Sequence, residues 1–282
     1  MTSERAFLQL LHTAPALWVT VHSHRGSVPR VGDAWMAVFA QRCLGSIGGG
    51  HLEWQAMAKA RALLDAAPQE PSLQRYALGP SLGQCCGGEV VLQFEPVTAA
   101  DLPRLQRWFA QAQAAWPRIA LFGGGHVARA LVQVLGPLPV QVHWVDSREG
   151  IFPQSMPDNV QTEQADPVHS AVVDLAAASH VLIMSFSHAE DLDVLKACLQ
   201  RQRQQADLPF LGLIGSQTKR ASFFHRLQQR GFTAEELAHV TCPIGLPSIT
   251  GKAPEVIAVA VAAQLLQVMG QGVPAIPSTK EN

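Results

Sequence analysis

A strand-like run, Ile119-Ala120-Leu121-Phe122, passes directly into Gly123-Gly124-Gly125-His126-Val127-Ala128 and then into a helix-forming stretch. In that context the first glycine permits a tight turn, the second lets a pyrophosphate approach the backbone, and Ala128 lets the helix pack closely. Asp146 closes the next predicted strand, Val140 to Val145, at the offset of about 20 residues where a ribose-binding acid is expected. The turn therefore predicts the opening of a Rossmann-type βαβ unit. N–H groups at the helix start would face an anion, and the helix dipole would add about 0.3–1 kcal/mol. A glycine-rich turn with no ligand satisfies the same pattern. His126 is either a phosphate or cofactor contact or an ordinary residue of the first helical turn.

Downstream the pattern keeps alternating. Helix Val127 to Leu135 precedes strand Val140 to Val145. Strand Val181 to Ser185 then leads to helix Ala189 to Arg201, and strand Phe210 to Gly215 to helix Thr218 to Arg230. A last helix runs from Pro254 to Val268. Strands alternating with helices mean a parallel sheet with helices on its faces. Residues 118–270 are expected to form this domain, followed by a tail at 271–282.

The N-terminal half reads differently. A short helix at residues 4–12 precedes strands at Leu17 to His22 and Ala34 to Phe39, then the glycine cluster Gly45-Ser46-Ile47-Gly48-Gly49-Gly50. A helix from His51 to Ala66 and strands at Leu73 to Leu78 and Glu89 to Glu95 complete a mixed α/β domain over residues 1–97. Residues 98–117, holding a helix at about Asp101 to Ala114 and the Trp116-Pro117 break, are expected to be a linker. The fold class is thus α/β: a mixed N-terminal domain plus a C-terminal Rossmann-type domain with a parallel sheet.

Composition narrows the partners. Of 282 residues, 48% are hydrophobic and 15% charged, which supports two buried cores. The formal net charge of −1, with no basic stripe, argues against nucleic acid. The N-terminus lacks the pattern of a signal peptide, and the longest apolar run, Val256 to Ala263, is too short to span a bilayer. Five cysteines, an odd number, do not suggest a disulfide framework. A reducing cytoplasm and no membrane are expected.

The sharpest chemical feature is Cys85-Cys86, framed by Gly83 and Gly87-Gly88. A thiolate on such a loop is a soft metal ligand or a sulfur nucleophile; two small residues packed in a turn would read the same way. In the second half, His188, Ser216, Lys219 and Arg220 follow strand ends and could converge with Gly123 to Gly125 on one crevice. Lys219 and Arg220 equally suit solvated charges of a first helical turn. Gly251-Lys252 is not a Walker loop, because Ala253 replaces the required Ser or Thr, and neither HExxH nor paired CxxC units occur.

Taken together, these motifs resemble the XdhC/CoxI family of molybdenum-hydroxylase maturation factors. The resemblance rests on Gly26-Ser27-Val28-Pro29-Arg30, Ile47-Gly48-Gly49-Gly50-His51-Leu52-Glu53, Leu82-Gly83-Gln84-Cys85-Cys86-Gly87-Gly88 and Phe122-Gly123-Gly124-Gly125-His126-Val127-Ala128. It continues through Leu213-Ile214-Gly215-Ser216 with Lys219-Arg220, and Cys242-Pro243-Ile244-Gly245-Leu246. The resemblance implies an accessory protein rather than an enzyme. Such a protein binds molybdenum cofactor (molybdopterin), protects it while its terminal oxo ligand is exchanged for sulfur from a cysteine desulfurase, and delivers it to apo-xanthine dehydrogenase. A homodimer is implied, with the glycine turns as anion cradle and Cys85 or Cys86 as molybdenum ligand or sulfur handler. A bound nucleotide is compatible with Asp146.

The competing reading is an NAD(P)-dependent oxidoreductase with His188 as proton donor. It gives the Cys-Cys and Gly-Gly-Gly-His-Leu-Glu motifs nothing to do.

Overall fold

The computed structural model describes residues 3–25, 34–66, 70–78 and 88–272. The chain forms two compact units, Met1–Ala114 and Ala115–Asn282.

The first unit is built on a five-stranded antiparallel sheet. Its strands are β1 (Ala16–Arg25), β2 (Trp35–Val38), β3 (Cys43–Ser46), β4 (Ser72–Leu78) and β5 (Gly88–Val97), in the order β3-β2-β1-β5-β4. Period-two alternation gives it two apolar faces. Leu17, Val19, Leu92 and Phe94 point to one face, where helix α2 (Gly50–Ala66) covers them with Leu52, Ala56 and Ala60. Ala16, Trp18 and Val97 point to the other, against Phe7 and Leu11 of α1 (Ser3–Leu11).

Helix α3 (Leu102–Ala114) also packs on that second face, through Leu102, Leu105 and Phe109. The stretch 98–117, expected as a linker, is thus mostly core of the first unit. Thr98 starts it with a capping box: its hydroxyl accepts from Ala100 N–H, and Asp101 accepts from Thr98 N–H.

The second unit carries six parallel strands: β6 (Arg118–Phe122), β7 (Gln141–Asp146), β8 (Val160–Gln164), β9 (Ser179–Ile183), β10 (Phe210–Leu213) and β11 (Val240–Thr241). Their order is β11-β10-β9-β6-β7-β8. From β6 the chain steps outward to β7 and β8, then returns to the other side of β6 with β9. That reversal opens a crevice beyond the carboxyl ends of β6 and β9, the place where open α/β sheets bind ligands.

Helices cover both faces. Helices α4 (His126–Leu135) and α8 (Pro254–Gly272) pack on Leu121, Trp144 and Leu182. Helices α5 (His188–Gln205), α6 (Gln217–Gln228) and α7 (Ala234–Ala238) pack on Phe122, Ile183 and Leu213. Helix α8 runs four residues beyond the expected end at Val268, into the stretch expected as tail.

A buried arginine closes the α5 side. Arg201 donates to the carbonyls of Val172, Val173 and Leu175 and forms a two-pronged ion pair with Asp207. Five bonds to one guanidinium satisfy carbonyls that the irregular stretch 172–175 leaves without strand partners.

Candidate functional site

In the first unit, the register places three motif-bearing connections at one end of the sheet. Thr20 pairs with Trp35, which pairs with Ser46, so β3 delivers the Gly48–Gly50 loop at the end toward which β1 runs. Arg25, Glu89 and Ala77 pair further along the same direction. The chain therefore leaves β1 and β4, and re-enters β2 and β5, at that same end. Those crossings contain Gly26 to Arg30 and Cys85-Cys86, which lie outside the described residues.

Gly48, Gly49 and Gly50 have φ of 125°, 77° and 69°, a run that side chains other than glycine rarely adopt. Glu53, one turn into α2, holds the loop from inside. Its Oε2 accepts from the Ser46 hydroxyl at 2.6 Å and from the amides of Ile47 and Gly49 at 3.0 Å each. Gly48 N–H goes to Ser46 Oγ.

Glu53 is thus a positioning residue, and the Gly48 and Gly49 amides, expected to cradle an anion, are spent internally. The first-turn amides of α2, at Gly50, His51 and Leu52, have no intrahelical acceptor by geometry. His51 is exposed and packs against the exposed Trp54, ring centroids 5.5 Å apart.

Replacing Glu53 with alanine is expected to remove three charge-assisted bonds, worth about 1.5–3 kcal/mol each before relaxation. Amide hydrogen exchange at Ile47 and Gly49 should accelerate while the α3 core stays protected. Unchanged exchange there would remove Glu53 from its role.

In the second unit, Gly123 lies where β6 meets β9. Its N–H donates to the Val145 carbonyl and its own carbonyl accepts the Trp144 indole N–H at 2.7 Å. Gly124 N–H donates to Asp146 Oδ2. Gly125 is open: a Cβ there would touch nothing within 4 Å. His126 is exposed at the first position of α4.

Asp146 does not present itself to a ribose. It is 1% exposed, and besides Gly124 it takes the Arg148 amide and two prongs of the Arg148 guanidinium, all at 2.9 Å. Burial alone would raise its pKa, but the Arg148 and Gly124 bonds hold it below the usual carboxylate range. The carboxylate expected to read a sugar hydroxyl is instead the fastener of the glycine turn. Arg148 in turn stacks on Phe186, which is 66% exposed, at 4.7 Å, and Ser147 donates to Glu190 of α5 across the same mouth. Ser185, at the reversal, has a shielded hydroxyl with no partner among the described residues.

The remaining expected residues follow the carboxyl ends of the neighbouring strands β9 and β10. Lys219 is half-buried and donates to Asp191 Oδ2 at 2.5 Å and to the Ile214 carbonyl, while Asp191 also accepts from Ser185 N–H. Ser216 caps α6 by accepting from Lys219 N–H. Arg220 stacks on Phe224 and His188 packs edge-on against Phe223. Lys219 and the Ser216 oxygen are thus engaged by the fold, whereas Arg220 and His188 make only ring contacts among the described residues.

Asp191, Arg148 and Phe186 were not singled out from the sequence. Arg148 sits two residues past the acid, the one signal available for it.

Three free cysteines lie among the described residues. Burial pushes the thiols of Cys43 and Cys242 up, and that of Cys198 to about 12. At Cys43 the Glu53 carboxylate adds to the rise, and at Cys242 Lys219 and Arg220 oppose it. Such thiols are poor sulfur handlers at neutral pH. No metal-holding cluster of His, Cys, Asp or Glu occurs among the described residues, and no helix there is long and apolar enough to cross a membrane.

A parallel six-stranded sheet with a glycine turn at its reversal, following an antiparallel α/β unit with its own glycine loop, defines a two-unit protein of Rossmann type. The chain belongs to the XdhC and CoxI family: the XdhC Rossmann domain matches residues 119–265, and the description "XdhC and CoxI family" matches residues 11–77. It is similar to YqeB of Escherichia coli (strain K12), itself uncharacterized, with 25% identity over 257 residues. That match takes in 90% of this chain but 43% of YqeB, so the chain spans less than half of that relative. A solved chain from Bacillus halodurans, described as a xanthine dehydrogenase, superimposes with a TM-score of 0.73 at 20% identity. The match covers 99% of this chain and 98% of that one, and at that identity the likeness is one of fold.

Proposed function

We propose that the protein carries molybdenum cofactor for a xanthine dehydrogenase. It holds the molybdopterin while a cysteine desulfurase provides sulfur for the terminal ligand, and passes it to the apo-enzyme; as a carrier it need not itself be an enzyme. The observation that supports this most is the register of the first sheet. It brings the Glu53-fastened glycine loop to the same end of one unit as the end of β4 and the start of β5, between which the sequence carries Cys85-Cys86.

The residues suit the group in chemical kind. When bound, the cofactor supplies a dithiolene-held metal with an exchangeable terminal ligand, together with a pterin and a phosphate. Amides of Gly50, His51 and Leu52 at the open end of α2 suit a phosphate, and the Cys85 and Cys86 thiols suit a soft metal or a sulfur in transit. In the second unit, Gly125 and the first turn of α4 offer a further anion subsite, which a nucleotide-bearing form of the cofactor would use. Dehydrogenase chemistry with NAD(P) has less support, because Asp146 is spent on Gly124 and Arg148. Homodimerisation belongs to the same proposal.

Copurification tests it. Protein made in a host with active molybdopterin synthesis, handled anaerobically under reduction, should carry molybdenum and yield fluorescent pterin on oxidation. The double variant Cys85→Ala/Cys86→Ala should lose most of both with unchanged circular dichroism. Wild-type protein devoid of pterin would defeat the proposal.

A further inference from the structure

The first unit contains a cleft of about 350 Å³ whose walls the glycine loops do not supply. Cross-strand pairing makes it: Trp18 pairs with Glu95 and Thr20 with Gln93, so all four occupy one face of the sheet. One step back along that face, Ala16 and Val97 enter the apolar core beneath α1 and α3. Where the helical cover ends, β5 carries Gln93 and Glu95 instead of apolar residues, and Arg104 and Trp108, one turn apart on α3, form the flank. This recess is open and mostly polar in its exposed lining, with an aromatic flank and a few convergent polar groups.

The wall is fixed before any ligand arrives. Trp18, 4% exposed, and Trp108 meet edge to face with centroids 5.1 Å apart. The Arg104 guanidinium lies 5.7 Å from the Trp18 ring and is held by Glu95 Oε1 at 2.6 Å and by Asp101 at 3.2 Å. Asp101 is itself tied to Thr98 by the capping box. Glu95 is therefore aimed, while its Oε2 makes no hydrogen bond among the described residues. The shielded Trp18 indole N–H has no partner either, so this wall is not polar-satisfied as it stands.

We propose that this cleft receives the 2-amino-4-oxopyrimidine edge of a flat heteroaromatic ring. The ring lies against the tryptophan wall, with its adjacent amino and ring N–H donors on the Glu95 carboxylate and its oxo group toward Arg104 and Gln93. Two parallel N–H donors match a carboxylate, which retains lone pairs after accepting from one guanidinium. Pterins and guanine share that edge, and adenine lacks it. The assignment to a pterin rests on the cofactor reading proposed above; the pocket's preference for the edge rests on its own residues.

Equilibrium dialysis of the full chain, made in a host without molybdopterin synthesis, tests the cleft with neopterin, guanosine and adenosine as probes. Neopterin should bind, with adenosine at least about tenfold weaker, and Glu95→Gln should weaken neopterin by about tenfold while leaving adenosine unchanged. Trp108→Leu should weaken neopterin too, its melting temperature showing whether the unit still folds.

No neopterin binding, equal affinity for adenosine, or unaltered affinity in Glu95→Gln overturns the proposal. Guanosine bound in preference to neopterin overturns the pterin assignment. The two readings separate cleanly. Neopterin binding by a wild-type chain that never copurifies molybdenum supports the cleft and sinks cofactor carriage. Undiminished copurification of metallopterin with Glu95→Gln sinks the cleft and leaves carriage standing.

Discussion

Replacing Gly123 with alanine is expected to destabilise the second unit severely, while Gly125→Ala, two residues on, leaves it almost untouched. A Cβ on Gly123 would sit 2.0 Å from the Met184 carbonyl oxygen and 2.5 Å from its carbon, both backbone atoms that cannot swing aside. Its φ of 117° adds a conformation that a side chain resists. Overpacking costs about 1–3 kcal/mol and the left-handed conformation about 1–2 kcal/mol, so the loss should come to about 2–5 kcal/mol, a large share of a domain's net stability. Gly125 has an extended φ of −71° and open space around it, so alanine there should shift stability by less than about 0.5 kcal/mol. Urea denaturation, with hydrogen exchange of the β6 and β9 amides to locate the loss, distinguishes the two. Equal stability of the two variants would show that the turn is not fixed by its contact with β9.

That contrast sharpens what the glycine fingerprint conveys. Its spacing announced a βαβ turn, and the turn is there, because strand, glycines and helix are encoded within a dozen contiguous residues. The reason for the first glycine is not a ligand but a neighbouring strand, β9, some sixty residues away in sequence. The same limit applies to Asp146. Spacing located it at the end of β7, but whether its carboxylate faces a sugar or folds back on Gly124 depends on the direction of the Arg148 side chain, which no periodicity records.

Strands with buried, near-continuous apolar runs, such as β6, β9 and β10, are legible for the opposite reason: their faces are set by composition alone. The edge strand β8, Val-Gln-Thr-Glu-Gln, carries no such run because only Val160 packs on the core, and β11 is too short to show one with its two residues. The Trp116-Pro117 break lies just past Ala114, where the two units divide. The amphipathic spacing of Leu102, Leu105 and Phe109 already argued that the preceding helix had a core to cover, which a linker helix does not.

Breaking the Asp191–Lys219 pair should cost as much as the glycine change, and repairing it by a second substitution should recover most of the loss. Their side chains are 3% and 9% exposed, so neither charge has water to fall back on. Each also holds a backbone group: Asp191 the Ser185 amide and Lys219 the Ile214 carbonyl, which ties the loops after β9 and β10 together at the crevice. Lys219→Met strands a buried carboxylate and Asp191→Asn strands a buried ammonium. Removing one member of such a pair costs about 3–5 kcal/mol, whereas removing both charges is often close to neutral. A stranded group can shed its charge by gaining or losing a proton, which caps the loss near that figure.

The double variant Asp191→Asn/Lys219→Met keeps an oxygen for the Ser185 amide and leaves no net buried charge, so it should be more stable than either single variant. In a double-mutant cycle by urea denaturation the coupling should exceed about 2 kcal/mol. Strict additivity would mean that the two side chains act independently, and Lys219 would then be free again to serve a ligand. Strong coupling assigns both residues to holding the crevice's shape and takes Lys219 out of the set of anion contacts in this unit.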